Sequence, residues 1–154
     1  MEKSDLFSRL SQDVRSTVEE YNQGSRVLEE TAEILHDEVE YYDWVGFYIA
    51  EPGEDELVLG PFVGEETDHT RINYGEGICG QSAETEETFT VQNVNEEENY
   101  LSCSPEVKSE IVIPVFKEGE FRGEIDIDSH ALAPFDRSDK EFLESLAEEL
   151  APFF

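Results

Sequence analysis

The spacing of apolar residues changes twice along this 154-residue chain, and these changes limit the folds that it can adopt. Residues 4–21 and about 25–40 carry apolar side chains every three or four positions, which predicts an amphipathic helix in each segment. A third helix is predicted near the C-terminus, where residues 138–141 read as a capping box before an apolar face. The chain is therefore expected to begin and end in helices.

The middle of the chain contains runs of β-branched and aromatic residues bounded by turns. These runs predict an antiparallel pair of strands at 44–49 and 57–63, short strands at 71–72 and 89–91, a brief helix at 78–86, and a hairpin of 111–116 with 121–128. Residues 93–108 have no clear period and are predicted to form a long loop. Few successive strands are separated by a full helix, so an α+β fold is predicted, with a central antiparallel sheet flanked by N- and C-terminal helices.

The turn of the predicted hairpin sets which residues face each other. A three-residue loop at 117–119 is expected, with glycine in the left-handed third position. A two-residue turn would need a positive φ at Glu118, which is disfavoured for a residue with a side chain. With the longer loop, Glu110 lies opposite Asp126 and diagonal to Asp128.

The charge of the chain is strongly negative, because 39 Asp and Glu against 10 Lys and Arg give a net charge of −29. The acids are spread over every segment and interleaved with apolar residues, so the chain can still build a core. We interpret them as the solvated surface of a halophilic protein, in which salt screens the self-repulsion; binding of a basic partner is the alternative. The charge argues against binding to nucleic acid or to an anionic membrane.

The location expected for the chain is the cytoplasm. No apolar stretch approaches the ~18 residues of a membrane helix, and residues 1–5 lack the basic start of a secretory signal. In a reducing compartment a structural disulfide is not expected. Cys79 and Cys103 are then either core residues or redox-active, and with three histidines they are too few and too scattered for a zinc signature.

A glycine-rich segment at residues 75–80 matches the spacing of glycines in the dinucleotide-binding motif, without the structural context of that motif. The pattern needs a βαβ unit whose loop opens a long helix, and only two acidic turns follow here, so nucleotide binding is rejected. The segment is either a plain tight turn or one that brings Cys79 to the first turn of a short helix. There, backbone N–H groups would favour a thiolate.

Three carboxylates, Glu124, Asp126 and Asp128, alternate with isoleucines and therefore share one face of a strand. One interpretation is a solvated face. The other is that Asp126 and Asp128 converge with Glu110 at one end of the sheet, where three acids resist ionising together and one tends to keep its proton near neutral pH. A carboxyl of that kind can act as a general acid.

Two aromatic residues, Trp44 and Tyr48, lie four apart in a predicted strand and share a face. They are either core residues or the wall of a small-ligand pocket. His69 and His130 are expected to lie at the surface.

Five motifs together resemble one known family. In chain order they are Trp44-Val-Gly-Phe-Tyr48, Leu57-Val-Leu-Gly-Pro-Phe62, Gly75-Glu-Gly-Ile-Cys-Gly80, Cys103 followed at seven residues by Glu110-Ile-Val-Ile-Pro114, and Gly123-x-x-Asp-Ile-Asp-Ser129. The set is similar to the free methionine-(R)-sulfoxide reductases, which are GAF domains. The resemblance runs from about Trp44 to Phe142 and implies a single GAF domain over residues 1–154.

The resemblance implies redox roles for both cysteines. Cys103 corresponds to the cysteine that attacks the sulfoxide sulfur, and Cys79 to its disulfide partner. Such an attack leaves a sulfenic acid that a second thiol resolves. Many relatives carry a third cysteine ten residues before the one matched by Cys79, and this chain has His69 there. Recycling would then run through Cys79 alone or through an external thiol.

The same resemblance implies the substrate-binding residues. Glu110, Asp126 and Asp128 correspond to the acids that hold the ammonium group and protonate the sulfoxide oxygen. Trp44 and Tyr48 correspond to the wall around the methyl end. A thiolate that attacks while an acid protonates the departing oxygen is chemically sensible.

The partners implied are free methionine sulfoxide and an external thiol reductant, either a thioredoxin-like protein or a small thiol, without any bound cofactor or metal. A homodimer is left open. The alternative function is a GAF ligand-binding or redox-sensing module without efficient turnover. A Cys79–Cys103 disulfide would favour the enzyme.

Overall fold

A computed structural model describes residues 2–21, 23–102 and 104–154 of the chain. Its helices and strands, in chain order, are α1 (Lys3–Glu20), α2 (Gly24–Glu38), β1 (Trp44–Ala50), β2 (Glu56–Val63), β3 (Arg71–Asn73), α3 (Gly77–Thr85), β4 (Phe89–Val91), β5 (Ser109–Lys117), β6 (Glu120–Ser129) and α4 (Arg137–Leu150), with 3-10 turns at Val94–Glu96 and Ala151–Phe153. These bounds confirm the helices and strands predicted from the sequence to within a few residues. The predicted loop at 93–108 is irregular where described, apart from its short 3-10 turn.

The six strands form one sheet in the order β3-β2-β1-β6-β5-β4, and each neighbouring pair is antiparallel. The predicted α+β class with a central antiparallel sheet is therefore confirmed. Strands β1, β6 and β5 lie in the inner part of the sheet, and helices cover both of their faces. Helices α1, α2 and α4 cover one face and α3 covers the other.

The larger core lies between the three long helices and the sheet. Phe7 of α1 stacks on Phe142 of α4, with ring centroids 4.3 Å apart. The alternate residues of the central strands, including Phe47 and Ile127, point into this layer and are fully buried. Among the described helices, none combines the length and the apolar character needed to span a membrane.

Helix α4 begins earlier than the capping box predicted at residues 138–141. The N-cap is Asp136, whose carboxylate accepts hydrogen bonds from the backbone N–H groups of Ser138 and Asp139. Asp139 in turn accepts from the backbone N–H of Asp136 at 2.9 Å. Aspartate serves both positions of the box because a carboxylate accepts from N–H groups as well as a serine hydroxyl does.

The β5–β6 hairpin closes with two residues, so the predicted three-residue loop is wrong. Lys117 pairs with Glu120, and Glu118 and Gly119 form the turn with φ values of 55° and 81°. A two-residue turn with both residues left-handed matches the right-handed twist of the strands. That match outweighs the cost of a positive φ at Glu118.

The predicted pairing of Glu110 with Asp126 is therefore wrong as well. The shorter turn moves the register by one residue, and a bulge between Val115 and Phe116 moves it by a second. A one-residue shift would turn every side chain of the strand to the other face, whereas two shifts restore the face. Glu110 consequently lies opposite Asp128 and still shares a face with all three acids of β6.

Candidate active site

The face of the sheet beneath α3 brings together nearly every residue that the sequence singled out. Strand β6 runs between β5 and β1, so each acid of β6 has one neighbour on either side. Asp128 lies between Glu110 and Trp44, Asp126 between Val112 and Gly46, and Glu124 between Pro114 and Tyr48.

Trp44 is held in one position by its neighbours. Its indole lies over Gly46, where an added Cβ would come 2.4 Å from the Trp44 ring. The ring stacks on Phe62 with centroids 5.4 Å apart, and the indole N–H donates to the backbone carbonyl of Glu65 at 2.9 Å. Gly46 is therefore required for the Trp44 ring to lie flat on the sheet.

The glycine-rich turn places α3 over the acids. Gly77 has a φ of 65° and lies under Leu101, whose Cγ would be 2.7 Å from an added Cβ. The Gly77 N–H donates to the Asn99 side chain at 2.8 Å, and the Asn99 amide donates to Gly75 O at 2.7 Å. These bonds tie the loop before Cys103 to the start of α3.

Cys79 lies in the first turn of α3, as predicted, but its surroundings do not favour a thiolate. Its side chain is 4% exposed, and Sγ lies 3.9 Å from Glu110 Oε2, within reach of a thiol hydrogen bond. Burial first, and the charges of Asp126 and Glu124 next, raise the pKa of the thiol well above its ordinary value. The expectation of a lowered pKa is therefore wrong, because the sheet brings carboxylates that oppose the helix N–H groups.

The acids form a buried cluster, and the alternative of a solvated face is wrong. Asp126 is 3% and Asp128 2% exposed. Burial raises the pKa of both, most strongly for Asp128, where the charge of Asp126 adds to the effect. Contacts with Glu110 offset part of these shifts, and a hydrogen bond between two carboxyls requires a proton on one of them. The raised pKa values therefore favour the neutral form of the carboxyls in this cluster.

Glu124 belongs to the same cluster, although the sequence interpretation did not include it among the site residues. Its side chain is fully buried, and neither carboxylate oxygen has a hydrogen-bond partner among the described residues. Burial, and then the charge of Asp126, raise the pKa of Glu124 well above 4.5. The period-two alternation with Asp126 was the signal that could have identified it.

A second buried acid shows what a structural carboxylate looks like in this protein. Asp139 is also fully buried, but it accepts hydrogen bonds from the hydroxyls of Tyr41 at 2.6 Å and Tyr42 at 2.8 Å, and from Lys3 Nζ at 2.8 Å. A buried charge is tolerated when it is paired in this way. Asp126 and Glu124 lack such pairing for at least one oxygen each, which is typical of a functional site.

Two small cavities lie on this face. One encloses about 10 Å³ and is lined by Tyr48, His69, Ile72, Ile78, Cys79, Leu101, Glu110 and Asp126. The other encloses about 30 Å³ and is lined by Asp43, Trp44, Glu65, Ser104, Val107, Asp128 and His130. No lysine or arginine of the described chain lines either cavity. A surface groove of about 790 Å³ lies between β5 and α4 and contains none of the predicted site residues.

The two histidines differ in their relation to the site. His130 is exposed, as predicted, although it borders the second cavity. His69 is partly exposed and also lines the first cavity. Its backbone carbonyl accepts from the Tyr48 hydroxyl at 2.8 Å, and its Nε2 lies 3.0 Å from the carbonyl oxygen of Ser102. His69 therefore joins the aromatic wall to the loop that leads to Cys103, which itself lies outside the described residues.

The cluster predicts how stability depends on pH. A native pKa above the ordinary carboxyl value means that the folded chain keeps protons that the unfolded chain has lost. Stability is therefore expected to fall as pH rises from about 4 through the raised native values. Glu124→Gln removes one of these groups, so its free energy of unfolding should fall less steeply, by about 1.4 kcal/mol per pH unit at most.

Urea titrations at several pH values measure this difference. The matched control is Glu148→Gln, which removes an exposed glutamate of α4 and should leave the slope nearly unchanged. Equal slopes for wild type and Glu124→Gln would show that Glu124 is ionised in the folded protein and does not retain a proton there.

Comparison with known proteins agrees with this geometry. The GAF domain family matches residues 24–152. An X-ray structure of free methionine-R-sulfoxide reductase from Neisseria meningitidis in complex with its substrate has a TM-score of 0.94 at 36% identity, covering 100% of this chain and 91% of that one. The type II enzyme of Thermoplasma acidophilum has a TM-score of 0.81 at 40% identity, covering 84% and 91%.

A curated relative gives the same result over a shorter segment. Free methionine-R-sulfoxide reductase of Saccharomyces cerevisiae is 44% identical over 107 residues, which are 68% of this chain and 59% of the yeast protein. The matched segment thus spans about three fifths of the yeast protein's length. Together with the fold and the buried acids beside Cys79, these matches show that the chain belongs to the GAF domain family, within the group that contains the free methionine-R-sulfoxide reductases.

Proposed function

We propose that this protein reduces free L-methionine-(R)-sulfoxide to methionine with electrons from thiols. The observation that carries the proposal is the group of buried carboxyls, whose pKa values burial raises, next to the Cys79 thiol and beside two aromatic residues of β1. Protonating a departing oxygen requires such an acid, and binding a small zwitterion requires an enclosed polar site. The substrates named for the similar reductases agree with this chemistry. A sensing module would not need the proton-bearing acids.

The acid cluster is the proposed subsite for the substrate's ammonium group. The described cavity linings contain no lysine or arginine, so a cation from outside would supply the positive charge that the carboxyls lack. Trp44 and Tyr48 flank these acids on β1, where they would pack against the methyl end. A peptide-bound methionine sulfoxide has no α-ammonium group and would leave the acids without their partner.

The proposed chemistry begins with the Cys103 thiolate attacking the sulfoxide sulfur. The thiolate forms a bond to the sulfoxide sulfur while a neutral carboxyl of the cluster protonates the oxygen. The S–O bond and the transient S–S bond then break as the hydroxyl passes to the Cys103 sulfur, which becomes a sulfenic acid, and methionine leaves with the electron pair. Asp128 and Glu110 are the proposed proton donors, since they lie opposite each other at the end of the cluster near Trp44. Cys79 is too buried among carboxylates to be the attacking thiolate.

Reduction of the sulfenic acid completes the proposed cycle. A second thiol condenses with it, releasing water and forming a disulfide that another thiol then reduces. Cys79 can serve as this second thiol, but its raised pKa makes it a slow partner. A direct reaction of Cys103 with an external small thiol or a thioredoxin-like protein is the faster of the two proposed routes. His69 holds the place where many relatives have a further cysteine.

Comparison of free and N-acetylated methionine sulfoxide tests the proposed substrate. With a dithiol as reductant, the free amino acid should be reduced and its N-acetyl derivative should react at least ~10²-fold more slowly, because acetylation removes the ammonium charge. Release of methionine or N-acetylmethionine is followed by chromatography. Comparable rates on the two compounds would contradict the enclosed, acid-lined site. Methionine-(S)-sulfoxide serves as a control for reduction by the dithiol alone.

The negative surface supports the further proposal that this is an acidic, halophilic member of its family, working in the cytoplasm. Thiol chemistry of this kind needs a reducing compartment. A net charge of −29 is self-repelling, and the Debye length falls from ~10 Å at 0.1 M salt to ~3 Å at 1 M. The melting temperature should therefore rise between these KCl concentrations and change much less in sucrose of equal osmolality. Flat melting curves in KCl would contradict the halophilic interpretation.

The remaining proposed partners are the electron donor and a second copy of the chain. The donor is a thioredoxin-like protein or a small thiol, since the cycle consumes two thiols for each sulfoxide. We also propose that the chain forms a homodimer, which sedimentation measurements in solution would test.

A further inference from the structure

Three potential metal ligands meet inside the site, although the sequence contains no metal motif. Cys79, Glu110 and Asp126 each offer one ligand atom, and these three atoms lie within 4.8 Å of one another. All three residues are buried. They come from α3, β5 and β6, so their proximity arises from the fold and leaves no trace in the spacing of cysteines and histidines.

The separation of these atoms suits a small tetrahedral cation. Bonds of about 2.3 Å to sulfur and 2.1 Å to oxygen give a sulfur–oxygen distance of roughly 3.6 Å in tetrahedral Zn²⁺ sites. Cys79 Sγ and Glu110 Oε2 are 3.9 Å apart without any rearrangement. The cavity that these three residues help to line encloses about 10 Å³, room for a single small occupant.

An unpartnered carboxylate oxygen in the same cavity is a second, independent observation that points to a ligand. Asp126 Oδ1 is buried without a hydrogen-bond partner among the described residues. Asp126 itself lines the cavity. A buried polar atom without a partner is unfavourable, and a cation bound to it removes that cost.

We propose that Cys79, Glu110 and Asp126 form a binding site for a thiophilic divalent cation of the Zn²⁺ type. A thiolate ligand selects Zn²⁺ over Mg²⁺ or Ca²⁺, which prefer oxygen alone. On binding, the Cys79 S–H proton and any carboxyl proton leave to solvent as the metal bonds form, and no atom changes oxidation state. Three protein ligands leave the fourth tetrahedral position open.

The bound cation would inhibit the enzyme. It occupies the acids that the substrate's ammonium group needs, so metal and substrate exclude each other. It also withdraws Cys79 from disulfide exchange. This inhibitory consequence rests on the proposed function, whereas the binding site itself does not.

Cobalt binding tests the site, because a thiolate–Co²⁺ bond gives a charge-transfer absorption that carboxylates alone do not give. The full chain is titrated with Co²⁺ in 1 M KCl, which screens the acidic surface. The expected result is one Co²⁺ per chain with a saturable charge-transfer band, displaced by one equivalent of Zn²⁺. A titration without the band, or without saturation near one equivalent, overturns the proposal.

Variants identify the ligands. Cys103→Ser should keep the band and Cys79→Ser should lose it, while Asp126→Asn should weaken Co²⁺ binding at least ~10-fold. The exposed Asp68→Asn is the matched control and should bind as wild type does. Circular dichroism checks the fold of each variant, and Cys79→Ala replaces Cys79→Ser if the latter is unfolded. A band that survives loss of Cys79, or that vanishes in Cys103→Ser, overturns the assignment.

A kinetic arm separates the two proposals. Zn²⁺ should raise the KM for methionine sulfoxide without lowering kcat, and a chelator should restore activity. Cobalt binding with no reductase activity on any sulfoxide would leave the metal site standing and remove the proposed function. Activity with purely noncompetitive inhibition by Zn²⁺ would place the metal outside the cluster and overturn the inference.

Discussion

A Cys103→Ser variant is expected to lose all turnover of methionine sulfoxide. A serine hydroxyl is a poor nucleophile towards sulfur, and the thiol of Cys79 cannot take the place of Cys103. Cys79, the other cysteine, is buried among carboxyls that raise the pKa of its thiol, so little thiolate is present there to attack. The loss should be seen both in steady-state assays and in a single turnover with reduced enzyme.

Cys79→Ser is the matched comparison and should behave differently. It should form one equivalent of methionine per chain and then stop with Cys103 as a sulfenic acid, which a dimedone-type reagent traps. Added small thiol should restore multiple turnovers. If Cys79→Ser gives no methionine while Cys103→Ser gives one equivalent, the two roles are reversed. If both variants match wild type, the cysteine mechanism is wrong.

Asp128→Asn is expected to lower the rate by ~10²-fold or more, and Glu110→Gln by a similar factor. Each amide keeps the shape of the side chain but cannot deliver the proton that the sulfoxide oxygen needs. Burial, and then the charge of the neighbouring Asp126, raise the pKa of Asp128 well above its ordinary value, which favours the protonated form that a proton donor needs. Stopped assays at saturating substrate measure kcat for each variant.

Both amide variants should remain folded, because removing a charge from an acid cluster relieves repulsion. The exposed Asp68→Asn, which changes the same chemical group outside the cluster, should retain full kcat. A folded Asp128→Asn enzyme that runs at the wild-type rate would assign the cluster to substrate binding or to stability and would leave the proton donor unidentified.

Most of the fold could be predicted because its local signals agree with the tertiary structure. Leu10 and Val14 of α1 follow the helical period and are fully buried, and Ile125 and Ile127 follow the strand period and are buried too. The carboxylates that alternate with these isoleucines face α3 for the same reason. Their shared face was therefore predictable from period two alone, whereas their burial was not.

What could not be predicted depends on contacts between distant segments. The turn at Glu118 takes a conformation that the residue itself disfavours, because two twisted strands on either side impose it. The pKa of Cys79 is raised because β5 and β6 carry carboxylates to the helix, an effect that the glycine-rich turn does not reveal. Glu124 is fully buried because α3 packs over β6, which the alternation of acids and isoleucines does not reveal.

The central claim is tested most directly by supplying racemic free methionine sulfoxide with a dithiol in high salt and following both diastereomers by chiral chromatography. The proposed function predicts that the R form disappears, that one methionine appears for each sulfoxide lost, and that the S form remains at its starting concentration. Consumption of both forms at equal rates, or of neither, would contradict it.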